Sequence, residues 1–215
     1  IINKAENNLV RCFFIPDFKR FLHRKVELSF MEEIPVISLR REPLLRLHNI
    51  AIKRLFDIAF SSLFLVTVFP ILFIVLGIAI KLSSPGPIFF KQKRTGEDGK
   101  DFYCYKFRTM KVNDNADSVQ ATKGDSRVTK IGSFMRKTNL DEMPQFINVF
   151  IGNMSVVGPR PHMLKHTEMY SQIIDKYMVR HFAKPGITGY AQVTGFRGET
   201  KDLSEMEGRV KRDVW

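Results

Sequence analysis

Apolar and polar positions divide the 215-residue chain into three stretches of different character. Residues 1–48 set two short apolar runs, at 10–15 and 34–39, in mixed amphipathic sequence. Val36, Ile37 and Leu39 follow Pro35 and predict a strand, which Arg40, Arg41, Glu42 and Pro43 punctuate. From about residue 50 to 84 the pattern changes. Residues 58–80 are apolar almost throughout, about 23 positions, enough for a helix to cross a hydrocarbon layer about 30 Å thick. Pro70 stands near the middle, where it removes a backbone hydrogen bond and kinks or breaks a helix. Lys53 and Arg54 precede the run; Lys81, Lys91, Lys93 and Arg94 follow it. Lys and Arg are enriched on cytoplasmic flanks, so basic residues on both sides suit a hairpin that enters and leaves by one face. A single spanning helix with a proline kink satisfies the same run. A buried soluble helix fits less well, because the run is too long and too uniformly apolar.

Residues 85–215 are polar and rich in turn signals. Ser84-Pro85-Gly86-Pro87 stops the helix. Residues 88–90 and 102–107 are aromatic, strand-like runs joined at Gly96-Glu97-Asp98-Gly99, a predicted hairpin. Residues 114–125 read as a polar loop. Thr138 and Asn139 predict the cap of a helix whose first turn holds Asp141, Glu142 and Pro144, and Gly152-Asn153 ends it. A second helix is expected over about 161–182, a Gly-punctuated segment over 184–198, and a charged helix from near Leu203. The expected fold is α+β and helix-dominated.

The composition, 44% apolar with 19 Phe, is ample for a folded core, and it argues against disorder. The formal net charge of +12 and pI of about 9.8 point to anionic partners, namely phosphate esters, nucleic acid or an anionic membrane face. The long apolar run favours phosphate and membrane. The two cysteines, Cys12 and Cys104, have neither metal nor redox spacing. The first eight residues carry no cleavable signal pattern, and the chain reads as part of something longer.

The chemistry concentrates at Leu140-Asp141-Glu142-Met143-Pro144-Gln145. Two carboxylates at a helix start would be kept ionised by the helix dipole, which suits a nucleophile and a metal ligand better than a general acid. Neighbours on a helix do not share a face, so one can attack while the other holds Mg²⁺ against substrate phosphates. Arg136 and Lys137 lie just upstream, Gly158-Pro159-Arg160-Pro161 just downstream, and Arg197 further on. Guanidinium groups chelate phosphate oxygens and stabilise a leaving phosphate. Lys106 and Arg108, set among aromatics, can meet lipid headgroups or a diphosphate. Acidic first turns and solvated arginines are also common as plain structure, and the residues alone leave both readings open. His162 and His166 have i, i+4 spacing but no third zinc ligand. Neither a P-loop nor Gly-x-Gly-x-x-Gly occurs.

Taken in order, KRLFD (53–57), SPGPIFFKQKRTG (84–96), YKFRTM (105–110), LDEMPQFINVFIGNMSVVGPRP (140–161) and KPGITGYAQVTGFRG (184–198) resemble the bacterial sugar transferase family, the monotopic phosphoglycosyl transferases. The resemblance covers about residues 50–215. It implies transfer of a sugar-1-phosphate from a UDP-sugar to undecaprenyl phosphate with release of UMP, as a membrane step of polysaccharide assembly. Asp141 would be the nucleophile and Glu142 the Mg²⁺ ligand. Arg136, Arg160 and Arg197 match basic positions near the phosphates, and Asp213 falls in a charged motif near the end. Pro70 matches the break of a re-entrant helix, although Phe69 stands where the family often has Ser. The implied location is the cytoplasmic face of the bacterial inner membrane. The domain expectation is the tail of an upstream Rossmann-like domain and linker (1–48), a re-entrant membrane helix (49–84) and a catalytic domain (85–215) that ends before the family's usual C-terminal helices. The rival reading is a non-catalytic, membrane-anchored assembly factor that binds anionic lipid or a partner. A membrane-tethered nucleic-acid binder is more remote, and no nucleic-acid partner is expected. Neither the sugar nor the oligomeric state, a homo-oligomer included, is legible.

Overall fold

The computed structural model describes residues 44, 46–112, 125–196, 198 and 202–214, together with the backbone of 27–31 and 34–38. The chain divides into two compact units, Ile1–Asn49 and Ile50–Trp215. In the first, β1 (Glu27–Met31) and β2 (Ile34–Ser38) form an antiparallel hairpin. The strand expected after Pro35 is β2; Leu39 lies outside the described residues.

In the second unit the apolar run becomes two helices, α1 (Leu47–Thr67) and α2 (Phe69–Ser83), bent by 54° at the break. Pro70 sits in the first turn of α2, where its missing N–H costs nothing and its fixed φ favours the new helix. Among the described residues no single helix is long and apolar enough to cross a membrane, whereas the bent pair together has the length and composition. The two helices leave a broad apolar surface uncovered, including Leu55, Phe56, Leu63 and Val66 on α1 and Ile71, Ile74, Val75 and Ile78 on α2.

The opposite side of α2 faces inward. Leu76 and Ile80 are buried with Phe107 and Met135, and Phe69, Phe73, Phe89, Leu140 and Met143 pack around them. Rings continue this contact: Phe73 stacks on Phe89, Phe89 on Phe107 and Phe69 on Phe107, with centroids 5.5–6.1 Å apart. Phe69, the residue before Pro70, therefore serves as a rung in an aromatic ladder that braces the break against Phe89 and Phe107.

The expected hairpin is β3 (Phe89–Thr95) and β4 (Asp101–Phe107), antiparallel, with Gln92 opposite Cys104 on its buried face. Next come α3 (Lys130–Thr138), capped by the Thr129 side chain, and α4 (Gln145–Ile151), which ends at the left-handed Gly152 (φ 106°) as expected. β5 (Ser155–Val157) runs parallel to β6 (Gly186–Thr188). The backbones cross so closely beyond β5 that a Cβ on Gly186 would lie 2.1 Å from Gly158 N, so only glycine fits.

The helix expected over 161–182 is shorter. Only α5 (Leu164–Ile173) is α-helical; Ile174 is extended, Lys176 turns left-handed (φ 60°), and a 3₁₀ segment occupies Tyr177–Phe182. The interruption turns Tyr177, Arg180 and His181 into the interior, where their packing overrides the local helical pattern. α6 (Tyr190–Val193) and α7 (Leu203–Val214) complete the fold, and Met206 and Val210 of α7 close over Ile174 and Tyr177.

Candidate active site

The acidic pair does not open an α-helix. Asn139 is left-handed (φ 59°) and ends α3, Leu140–Glu142 form one 3₁₀ turn, and α4 begins only at Gln145. Thr138, expected in the cap, is the last residue of α3. The pair therefore does not sit at an α-helix dipole as expected; the groups around it are side-chain cations. The 3₁₀ turn still separates the neighbours, by about 120°. Leu140 and Met143, on either side, pack into the cluster under α2 and seat the turn on the broken helix.

Glu142 is gripped from two sides. Arg160 donates from Nη2 to Oε1 at 2.7 Å and from Nη1 to Oε2 at 3.2 Å, while Lys106 Nζ donates to Oε1 at 2.7 Å. Burial alone would raise this carboxyl, but the charges and hydrogen bonds of Lys106 and Arg160 outweigh it and hold Glu142 well below the usual range. Asp141 behaves in the opposite way. It is equally buried, and burial pushes its pKa up, helped by repulsion from Glu142 and opposed by Lys106, Arg136 and Arg160. Two adjacent carboxylates therefore differ in kind: one is locked and strongly acidic, the other is more basic.

Lys106 uses one of its three N–H groups on Glu142 and Arg160 two of its five, which leaves donors for an incoming oxyanion. Their side chains are 21% and 31% exposed, so the site is open to ligand on this side. Arg136 donates from Nε to Thr109 Oγ1 at 2.9 Å and acts electrostatically on Asp141. Arg197 lies outside the described residues.

Two further residues, each open to a substrate or a structural role by sequence, have structural partners. Arg108 is buried and staples the turn after α2, donating to Ser84 Oγ, Ser84 O and Pro85 O at 2.7–2.9 Å. Asp213 is sealed in an ion pair with Arg180, Nη2 to Oδ2 at 2.7 Å. His162 is buried against Tyr177 and Arg180, with its pKa driven well down by burial and the Arg180 charge, so it stays neutral.

Other positioning residues lie within the KRLFD (53–57) and 140–161 motifs but drew no individual role from the sequence. Lys53 and Arg54, the charged pair before the apolar run, clamp α1 to α4 and β5. Lys53 Nζ reaches Ser155 Oγ at 2.6 Å and Val157 O at 2.9 Å, and Arg54 caps α4 through Val149 O and Phe150 O, both at 2.7 Å. Asp57 accepts from Ser155 Oγ and Val156 N at 3.0 and 2.9 Å. Asn148 is fully buried on α4; it accepts from Tyr105 N and donates to Tyr103 O, which fixes the strand bearing Lys106 against the helix that follows the acidic turn. Its signal was available in hindsight, as a polar residue inside the apolar run of α4.

Among the described residues no three His, Cys, Asp or Glu side chains cluster to hold a metal. Mg²⁺ is commonly bound through one or two carboxylates with water and substrate phosphates. Glu142 and Asp141 form a donor set of that open kind.

The candidate site is thus a buried, unequal carboxylate pair ringed by Lys106, Arg136 and Arg160 and seated on a bent apolar helix pair. The chain belongs to the bacterial sugar transferase family, whose model matches residues 48–215. Over all 215 residues it is 47% identical to a UDP-glucose:undecaprenyl-phosphate glucose-1-phosphate transferase of Escherichia coli K12 and 46% identical to one of Klebsiella pneumoniae, covering 46% of each. An Aeromonas hydrophila UDP-N-acetylgalactosamine-undecaprenyl-phosphate N-acetylgalactosaminephosphotransferase is 40% identical over 151 residues, 70% of this chain and 35% of that protein. The chain thus spans about half the length of the curated relatives that it matches end to end.

Proposed function

We propose that the protein transfers a sugar-1-phosphate from a UDP-sugar to undecaprenyl phosphate and releases UMP, through a covalent intermediate on Asp141. The observation that carries this reading is the division between the carboxylates: Glu142 is locked by Lys106 and Arg160, and Asp141 beside it is the more basic of the two. A locked, charge-matched carboxylate makes a poor nucleophile, whereas a desolvated one among cations makes a good one.

In the first step an Asp141 carboxylate oxygen attacks the phosphorus that bears the sugar. The Pβ–O bond to the bridging oxygen breaks, and UMP departs with the electron pair. Arg160, Lys106 and Arg136 offset the negative charge that gathers on the phosphates, in a site where burial strengthens each interaction. In the second step an oxygen of undecaprenyl phosphate attacks the same phosphorus, and the Asp141 carboxylate leaves unchanged. Mg²⁺, held by Glu142, would neutralise phosphate charge. No proton transfer is needed in either displacement, which fits a site without a general base.

Glucose is the donor sugar we infer, because the relatives matched over the whole chain are named for UDP-glucose. The uncovered apolar faces of α1 and α2 support insertion into one leaflet, since exposed apolar patches of this extent mark interaction or membrane surfaces. On this reading the pair is re-entrant, with Lys53 and Lys81 on the cytoplasmic side of the inner membrane, and the lipid phosphate is confined to the plane of the site.

The test is UMP release by the full-length protein with Mg²⁺, undecaprenyl phosphate and a panel of UDP-sugars. UDP-glucose is expected to turn over fastest. Silence with every donor would overturn the enzymatic reading and leave the membrane-anchored assembly factor. For topology, single cysteines placed before residue 58 and after residue 80 are expected to react with an impermeant reagent from the cytoplasmic side only. Labelling from opposite sides would restore a spanning helix.

A further inference from the structure

We infer that Arg180, paired with Asp213, is a positioning residue that sets the arginine of the Gly158–Pro161 arm over the acidic pair; this rests on the transferase reading above. The arm is laced along its length. Gly158 N donates to Thr188 O, Pro159 O accepts from Gly186 N at 2.8 Å, and His162 O accepts from Thr95 N at 3.3 Å. Pro161 O accepts from Arg94 Nη1 only at 3.4 Å. The carbonyl of Arg160 itself is held by a side chain, Arg180 Nη2, at 2.6 Å.

Arg180 is a demanding choice for that task. Its side chain is 1% exposed and that of Asp213 2%, so both charges have left water and each depends on the other. A neutral donor would hold a carbonyl at lower cost. The guanidinium, however, supplies a rigid fork. One arm reaches both the Arg160 carbonyl and Asp213 on α7, and the other meets the His162 ring, at 2.9 Å from Nε2. Three chain segments are thereby registered at one group: the arm, the 3₁₀ segment Tyr177–Phe182 and the last helix. The proline on each side of Arg160 passes that register to the side chain, because φ at both flanking positions is fixed. The result is the two-point grip of Arg160 on Glu142. Asp213 thus bears on the chemistry through Arg180 rather than by touching substrate.

The experiment is a double-mutant cycle on the full-length protein. Arg180→Lys keeps the charge but loses the fork, and Asp213→Asn keeps the shape but loses the charge; each is combined with Arg160→Met. In the otherwise native protein Arg180→Lys is expected to lower kcat for UMP release on the order of 10²-fold, the cost of a small misplacement, and to weaken UDP binding measured by calorimetry. In the Arg160→Met background the same substitution should change turnover and UDP affinity by less than about twofold, while lowering the melting temperature as much as before. Asp213→Asn should show the same coupling at smaller amplitude, and it serves if Arg180→Lys fails to fold. Equal factors in both backgrounds would overturn the inference and leave Arg180 a stabiliser only. The binding cycle decides this even if no UDP-sugar turns over, an outcome that would sink the transferase reading alone.

Discussion

Asp141→Asn is expected to abolish UMP release, by at least ~10³-fold, while leaving the protein as stable as before or more so. The amide cannot donate an electron pair to phosphorus, and no neighbouring carboxylate replaces it, because Glu142 is tied to Lys106 and Arg160. The stability half follows from linkage. Burial raises the folded pKa of Asp141 above its ordinary value of 3.8. A carboxyl that holds its proton more tightly when folded lowers stability as pH rises through that raised value, and at neutral pH its ionised form is a net burden. An uncharged Asn removes that burden. Melting curves at pH 7, radiolabel transfer from a UDP-sugar and UMP release, measured together, check both halves. Native turnover would sink the nucleophile assignment, and a marked loss of stability would sink the account of its environment. The same raised pKa sets the acid limb: kcat/KM should fall with decreasing pH at a value above 3.8, as the nucleophile protonates.

How much of this site could be read along the chain depended on whether each residue acts locally or through a distant partner. The hairpin of β3 and β4, the break at Pro70, the stop at Gly152 and the last helix are local decisions of turn chemistry and periodicity, and all were legible. Asp141, Glu142, Arg136 and Arg160 stood out because charges cluster near a proline-braced segment, and the fold brings them to one place. What could not be read were long-range pairings. Arg54 looks like a membrane flank until the carbonyls of α4, almost 100 residues later, arrive beneath it. Asp213 and Arg108 are open to substrate or structural roles along the chain, and only the fold shows their partners, Arg180 and the turn at Ser84. The helix expected over 161–182 failed for the same reason: Arg180 had to face inward, and no local signal reports that. Asn139 has the residue type of a helix start, which would put the carboxylates at a helix tip, whereas its left-handed conformation makes it an end.

Glu142→Gln is expected to produce the opposite pairing of effects, lower stability together with lower activity. The folded pKa of Glu142 lies below its ordinary 4.5, because Lys106 and Arg160 favour the charged form more than burial disfavours it. Such a group contributes stability that is present above the unfolded pKa and lost as pH falls through the folded one, so at pH 7 the contribution is whole. Gln removes the charge and leaves two cations with a neutral neighbour, a change that in buried pairs costs up to about 3–5 kcal/mol; retained hydrogen bonding and partial exposure bring it toward the lower figure. Arg160 and Lys106 lose the anchor that aims them, so turnover should fall on the order of 10²-fold. The Mg²⁺ concentration for half-maximal UMP release should rise. Melting curves at pH 7 separate the two carboxylates directly: Asp141→Asn moves the midpoint up or not at all, and Glu142→Gln moves it down. If both substitutions shift it in the same direction by similar amounts, the carboxylates are equivalent, and the division of labour between attack and anchoring is wrong.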